Sequence, residues 1–108
     1  MKLPSDLVIA PEKLTQYLLV RRPRNDKSCF LAQAGYDTSN WRVLDADIRA
    51  LAEAADAEPA GSNAFGEFFV LRGELRGPNG TILKVRAIWI RLAESGEARF
   101  VTLVPDEE

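Results

Sequence analysis

The chain has 108 residues, 46% of them hydrophobic and 28% charged, with a formal net charge of −2, one cysteine and no histidine. That length suits one domain around one core, and the apolar content excludes intrinsic disorder. The lone thiol, Cys29, excludes an internal disulfide, and the lack of histidine removes zinc coordination and histidine acid–base catalysis from the candidate chemistries.

Charge is unevenly spread. Residues 1–36 sum to +3, 37–67 to −5 and 68–105 to +3, and Asp106-Glu107-Glu108 adds −3. The overall balance argues against strong non-specific nucleic-acid binding but allows one basic face. The start, Met1-Lys2-Leu3-Pro4-Ser5-Asp6, has a proline and an acid where a secretory signal needs an apolar run. No apolar stretch reaches the ~18 residues of a membrane helix. The expectation is a cytoplasmic protein with no membrane association. No cofactor motif is present, and no loop of alternating acids supports a hard cation.

In chain order, residues 3–9 read as an extended lead-in. Pro11 suits a first helical position, and Glu12 suits the positive end of the helix dipole. Leu14, Tyr17 and Leu18 then share a face, so a first helix is expected over 11–19. Pro23 breaks it within the basic run Arg21-Arg22-Pro23-Arg24. That run reads as a solvated loop paired with the acidic region 45–58, or as a phosphate contact. Asn25 or Asp26 can cap a short second helix over 27–34, which Gly35 ends. Trp41, Leu44, Ile48, Leu51 and Ala55 form one apolar stripe, with Asp45 and Arg49 paired at i, i+4. The third helix is expected over 39–56, its Trp41 stripe packed on a sheet.

Residues 56–63 read as loop by composition. The period then changes from 3.6 to 2. Phe69, Leu71, Gly73 and Leu75 alternate with Phe68, Val70, Arg72 and Glu74, which marks a strand over 67–76. Gly77-Pro78-Asn79-Gly80 is a hairpin signal. Leu83, Val85, Ala87 and Trp89 alternate with Lys84, Arg86, Ile88 and Ile90 in a second strand over 81–92. Its late half is apolar on both faces, as in a central strand covered on both sides. A third strand runs over 98–104. The expected fold is α+β, one domain over 1–108, with N-terminal helices on a C-terminal three-stranded antiparallel sheet. Trp41 and Trp89 are expected to be core anchors, and Cys29 a buried or half-buried inert thiol.

The segments "IAPEKLTQYLL" (9–19), "DKSCFLAQAGY" (26–36), Asn40-Trp41, "GPNG" (77–80), "VRAIW" (85–89) and "RFVTLVP" (99–105) occur in an order and spacing that resembles a bacterial family of domains of unknown function, number 6883. The resemblance spans nearly the whole chain. It implies a small stand-alone or toxin-associated bacterial domain. The order of helices before sheet is similar, at the level of fold, to the metal-independent ribonuclease toxins related to barnase. The chain departs from that pattern at three places. Ala87 replaces a threonine, Leu103-Val104 an alanine–tyrosine pair, and Cys29 a basic residue.

Metal-independent RNA cleavage needs charge stabilisation at phosphorus, which guanidinium and ammonium groups provide. The candidates are Lys27, Arg86 and Thr102 as catalytic groups and Arg72, Lys84, Arg91 and Arg99 as substrate contacts, without metal or cofactor. Lys84 and Arg86 share a strand face, and Arg91 has the opposite parity. The bland reading of each is a solvated strand residue. The sequence supports three functions. The first is a toxin-like RNA-cleaving or RNA-binding domain. The second is a non-catalytic module that binds a small cognate protein. The third is a structural homodimer.

Overall fold

The computed structural model describes residues 7–19 and 28–106; the candidate Lys27, the run Arg21-Arg22-Pro23-Arg24 and the side chain of Tyr17 lie outside what it describes. Two edge strands join the three expected ones. The sheet has five strands in the order β1-β5-β4-β3-β2, made of Leu7–Val8 (β1), Glu58–Ser62 (β2), Gly66–Arg76 (β3), Ile82–Leu92 (β4) and Ala98–Pro105 (β5). It is mixed, because β1 runs parallel to β5 while every other pair is antiparallel.

The three-stranded expectation is therefore corrected at both edges. β1 is only two residues long, too short for any alternation to show. β2 has the sequence Glu58-Pro59-Ala60-Gly61-Ser62, is exposed throughout and carries a register shift between Pro59 and Ser62. Proline and glycine hide a strand from composition, yet an edge strand tolerates them because only one of its sides needs a ladder.

The first helix begins as one α-turn, Pro11–Lys13, and widens into a π-helical stretch, Leu14–Leu18; together they are α1. The Leu19 N–H donates to Leu14 O at 3.0 Å, and the wider turn brings Leu14, Leu18 and Leu19 all into the core. The second helix, α2, covers Ser28–Ala32 among the described residues and ends two residues before the expected 34; Cys29 on it is exposed, not buried as expected. Tyr36 N–H bonds to Leu31 O and Gly35 N–H to Ala32 O, with Gly35 at φ +92°, so the stop is a left-handed Schellman turn.

Asp37 caps the turn that comes next. Its carboxylate accepts from the Ser39 and Asn40 N–H groups, while the Asn40 side chain accepts from the Asp37 N–H. The Ser39 hydrogen bonds hold that carboxyl below its ordinary range. This 3-10 turn, Thr38–Asn40, leads into α3, Trp41–Ala54. Leu44, Ile48, Leu51 and Ala52 are buried, whereas Trp41 and Ala55 sit half-buried at the margins. Trp41 is thus no core anchor; the Arg42 guanidinium lies over its ring at 4.7 Å. Trp89 is the anchor. It is fully buried and meets Phe100 edge-on at 5.5 Å.

The described helices pack on one face of the sheet. Its residues there are Phe69, Leu71 and Leu75 of β3, Leu83, Val85, Ala87 and Trp89 of β4, and Ala98, Phe100 and Leu103 of β5. They meet Leu14, Leu18, Leu31, Leu44 and Ile48 in one cluster. The β3–β4 ladder is unbroken over eleven pairs, from Gly66↔Leu92 to Arg76↔Ile82. The expected turn closes it, with Gly77 N–H bonded to Thr81 O and Gly80 at φ +87°. No described helix is long and apolar enough to cross a membrane.

Candidate functional site

Alternation along the strands sends every other side chain to the opposite, outer face. There Phe68 faces Ile90 and Val70 faces Ile88. These four are half-buried and stand outside the buried core cluster. The expectation that late β4 is covered on both faces is corrected: the described helices cover only the Trp89 side. These four half-exposed apolar groups on adjoining strands form one patch on the face that the described helices leave uncovered, a usual mark of a contact surface. Phe65, 73% exposed, stands in the β2–β3 turn at the same end of the sheet.

A charged group borders the patch. Arg72 lies directly opposite Arg86, and Glu74 opposite Lys84. Arg86 faces Val104 on β5, and Thr102 faces Ile88 one step along. Directly opposed side chains stand roughly 5 Å apart at Cβ and diagonal ones roughly 7–8 Å. Arg72, Lys84, Arg86 and Thr102 therefore share one end of the outer face. Arg99 shares the face but lies opposite Ile90, beyond the apolar patch and about 13 Å along the strand from Arg86. Arg91 has the other parity, opposite Glu67 and Ala98, and is away from this face.

The electrostatics of this group are self-contained in part. The Arg86 Nε lies 3.6 Å from Asp106 Oδ1, and Arg99 is bonded to Glu97 at 3.1 Å. Arg72 opposite Arg86 is the unfavourable element, since like charges directly across a ladder repel. A shallow cleft of about 260 Å³ opens here between Arg72, Glu74, Lys84 and Asp106. Thr102 instead lines a separate groove with Lys13 and Gln16 of α1. Of the expected catalytic set, Thr102 lines the α1 groove, Arg86 lines neither groove and Lys27 lies outside the described residues; no group of three metal-ligating side chains occurs among the described residues.

A second feature adjoins the cleft. β2 pairs with β3 only as far as Val70, so β3 from Leu71 onward forms an open sheet edge among the described residues. A groove of about 490 Å³ runs between that edge and α3, over Asp47, Ala50, Leu51 and Ala55. Tyr36 touches two of its lining residues, Asp47 and Arg76. The phenol donates its proton to Asp47 Oδ2 at 2.6 Å, and the Arg76 carbonyl oxygen lies 3.4 Å from the same hydroxyl. Burial, then the bond to the Asp47 carboxylate, pushes the phenol well above its ordinary range.

Neither the apolar patch nor the open edge is legible in the sequence as a site. A signal for the patch exists, because Phe68, Val70, Ile88 and Ile90 share parity on a hairpin whose register the turn fixes. In the sequence that signal reads as burial on both faces.

The family model for the domain of unknown function DUF6883 matches residues 2–107. No curated protein matches the sequence. Among solved structures, a chain of the contact-dependent growth inhibition toxin–immunity protein complex from Klebsiella pneumoniae 342 shares the fold. It has a TM-score of 0.71 at 17% identity, over 92% of this chain and 99% of that one.

Proposed function

We propose, from the premise that the chain belongs to the DUF6883 family, that it is a protein-binding member of a toxin–immunity-type system and acts by contact rather than by catalysis. The observation that carries this is the outer sheet face, an apolar centre of Phe68, Val70, Ile88 and Ile90 bordered by charged side chains. That is the anatomy of a protein interface, where the desolvated centre supplies affinity and the rim supplies orientation. The fold shared with a chain of a toxin–immunity complex supports the biological setting. The partner is a small cognate protein that offers an acidic side chain to the Arg72–Arg86 pair.

The test is titration calorimetry against the product of the adjacent coding sequence. Binding that Ile88→Arg weakens at least tenfold supports the reading. Undiminished binding by Ile88→Arg overturns it.

A second reading has its own observation: Arg72, Lys84 and Arg86 gather on one face, as a phosphate site requires. Metal-independent RNA cleavage by this cluster, with Arg86 and Thr102 in the catalytic roles and Lys27 added to them, remains the alternative. Against it stands the proton chemistry. Arginine and lysine are poor proton donors at neutral pH, and the sequence has no histidine. Growth arrest and RNA cleavage on induced expression, relieved by Arg86→Ala, would favour this alternative over the first.

A further inference from the structure

The open edge of β3 is short and bounded. At one end β2 begins, with Glu58 opposite Val70. At the other, the Tyr36 hydroxyl sits against the Arg76 carbonyl oxygen at 3.4 Å. Between them lie five residues, Leu71 to Leu75, about 16 Å of strand.

Which of their backbone groups face outward is set by the ladder. In an antiparallel pair, a residue turns its N–H and C=O to the same side, and successive residues alternate. Gly77 donates its N–H to Thr81 O, toward β4. Arg76, one residue earlier, offers its carbonyl to Tyr36, away from β4. The β3–β4 register is continuous, so Arg72 and Glu74 also turn their N–H and C=O outward. Pro59 agrees with this, since it lacks an N–H and sits opposite Phe69, of the other parity.

The same two residues carry the charges of the edge. Arg72 and Glu74 project to the outer face, and Arg72 already confronts Arg86. An acid beside Arg72 would relieve that repulsion. On the inner side, Leu51 fills the space beneath Gly73, and the groove of about 490 Å³ beside the edge is floored by Ala50, Leu51 and Ala55. It has room for apolar side chains.

We propose that this edge is a strand-addition site. Its occupant is an antiparallel five-residue segment of a protein partner, extending the lane that β2 begins. The segment places an acid opposite Arg72, a base opposite Glu74 and apolar side chains opposite Leu71, Gly73 and Leu75. Four backbone hydrogen bonds, two at each outward-facing residue, give affinity, and the side-chain alternation gives register. The inference rests on the reading of the chain as a protein-binding module and states where the partner's backbone lies.

The probe is the peptide acetyl-Val-Lys-Val-Glu-Val-amide, titrated into the ¹⁵N-labelled chain. Expected are saturable amide shifts centred on Arg72, Gly73 and Glu74. N-methylation of the peptide's Lys and Glu nitrogens should weaken binding at least tenfold, while N-methylation of its central Val should not. In the protein, Glu74→Pro should weaken binding at least tenfold, because it removes an outward donor without touching a bond to β4. Glu74→Gln should weaken it only a few-fold.

No shifts, shifts centred elsewhere, or equal loss from every N-methylated peptide would overturn the inference. Should Glu74→Pro fail to fold, the N-methyl series alone decides. Failure here is distinct from failure of the proposed function. A cognate protein lost by Ile88→Arg and kept by Glu74→Pro sinks the edge and leaves the module reading. Peptide binding at the edge without any cognate partner does the reverse.

Discussion

Replacing Gly77 by alanine tests how the second helix is locked to the hairpin. A Cβ at Gly77 would stand 2.1 Å from the Ala34 carbonyl oxygen and 2.3 Å from the Ala34 Cβ. Neither atom can rotate aside, since one is backbone and the other is fixed to it. The turn that ends α2 must therefore move away from the hairpin by about 1 Å or more to restore ordinary contact. That movement strains two hydrogen bonds, Asn79 N–H to Ala34 O at 3.2 Å and Asn79 Nδ2 to Gln33 O at 3.0 Å. Two such bonds are worth about 1 kcal/mol each, and overpacking adds about 1–3 kcal/mol. The expected loss is about 3–5 kcal/mol, a large share of the roughly 5–15 kcal/mol that domains possess.

Gly73→Ala is the matched comparison. Its Cβ meets the Leu51 Cδ1 at 2.2 Å, but that atom ends a flexible side chain. A rotamer change in Leu51 restores contact at about 1–2 kcal/mol. Urea unfolding of the three proteins, with equal m-values as the check on two-state behaviour, measures both. A Gly77→Ala protein within about 1 kcal/mol of the parent, or one more stable than Gly73→Ala, would refute the reasoning.

The core and the charges give further expected outcomes. Trp89→Ala should cost about 3–5 kcal/mol, and Trp89→Phe clearly less, because the buried indole Nε1 has no hydrogen-bond partner among the described residues to lose; thermal unfolding compares them. Tyr36 ties stability to alkaline pH. Its folded pKa lies above the unfolded value of 10.0, so the contribution is complete below pH 10 and is lost as pH rises above it. The loss is on the order of 1 kcal/mol per pH unit, and Tyr36→Phe should flatten that limb of the stability profile. Asp106→Asn should cost about 0.5–1 kcal/mol, by exposing the Arg72–Arg86 repulsion, and added salt should recover it. Ile88→Asp should stay within about 1 kcal/mol of the parent, while Val85→Asp, on the buried face, should fail to fold.

The elements that the sequence revealed are those whose residues state their own geometry. The β3–β4 hairpin was legible from a period of two on both sides of Gly77-Pro78-Asn79-Gly80. α3 was legible from a stripe at 3.6 spacing, and the end of α2 from Gly35. Each is a local fact of backbone preference and side-chain period. What tertiary structure decided is what lies beside what. Leu7–Val8 and Glu58–Ser62 are strands only because β5 and β3 offer them unpaired backbone. Trp41 and Ala55 satisfy the stripe equally well on paper. The helix drifts relative to the sheet, so they fall at its margin and Ala52 falls inside.

The candidate site divides the same way. That Lys84 and Arg86 share a face, and that Arg91 does not, follows from parity alone. That Arg72 opposes Arg86, that Arg99 stands apart, and that Phe68, Val70, Ile88 and Ile90 form one patch depend on register and on which face the helices cover. A period of two says that a strand has two faces. It carries no information on which of them the rest of the chain will cover, because that depends on contacts distant in sequence.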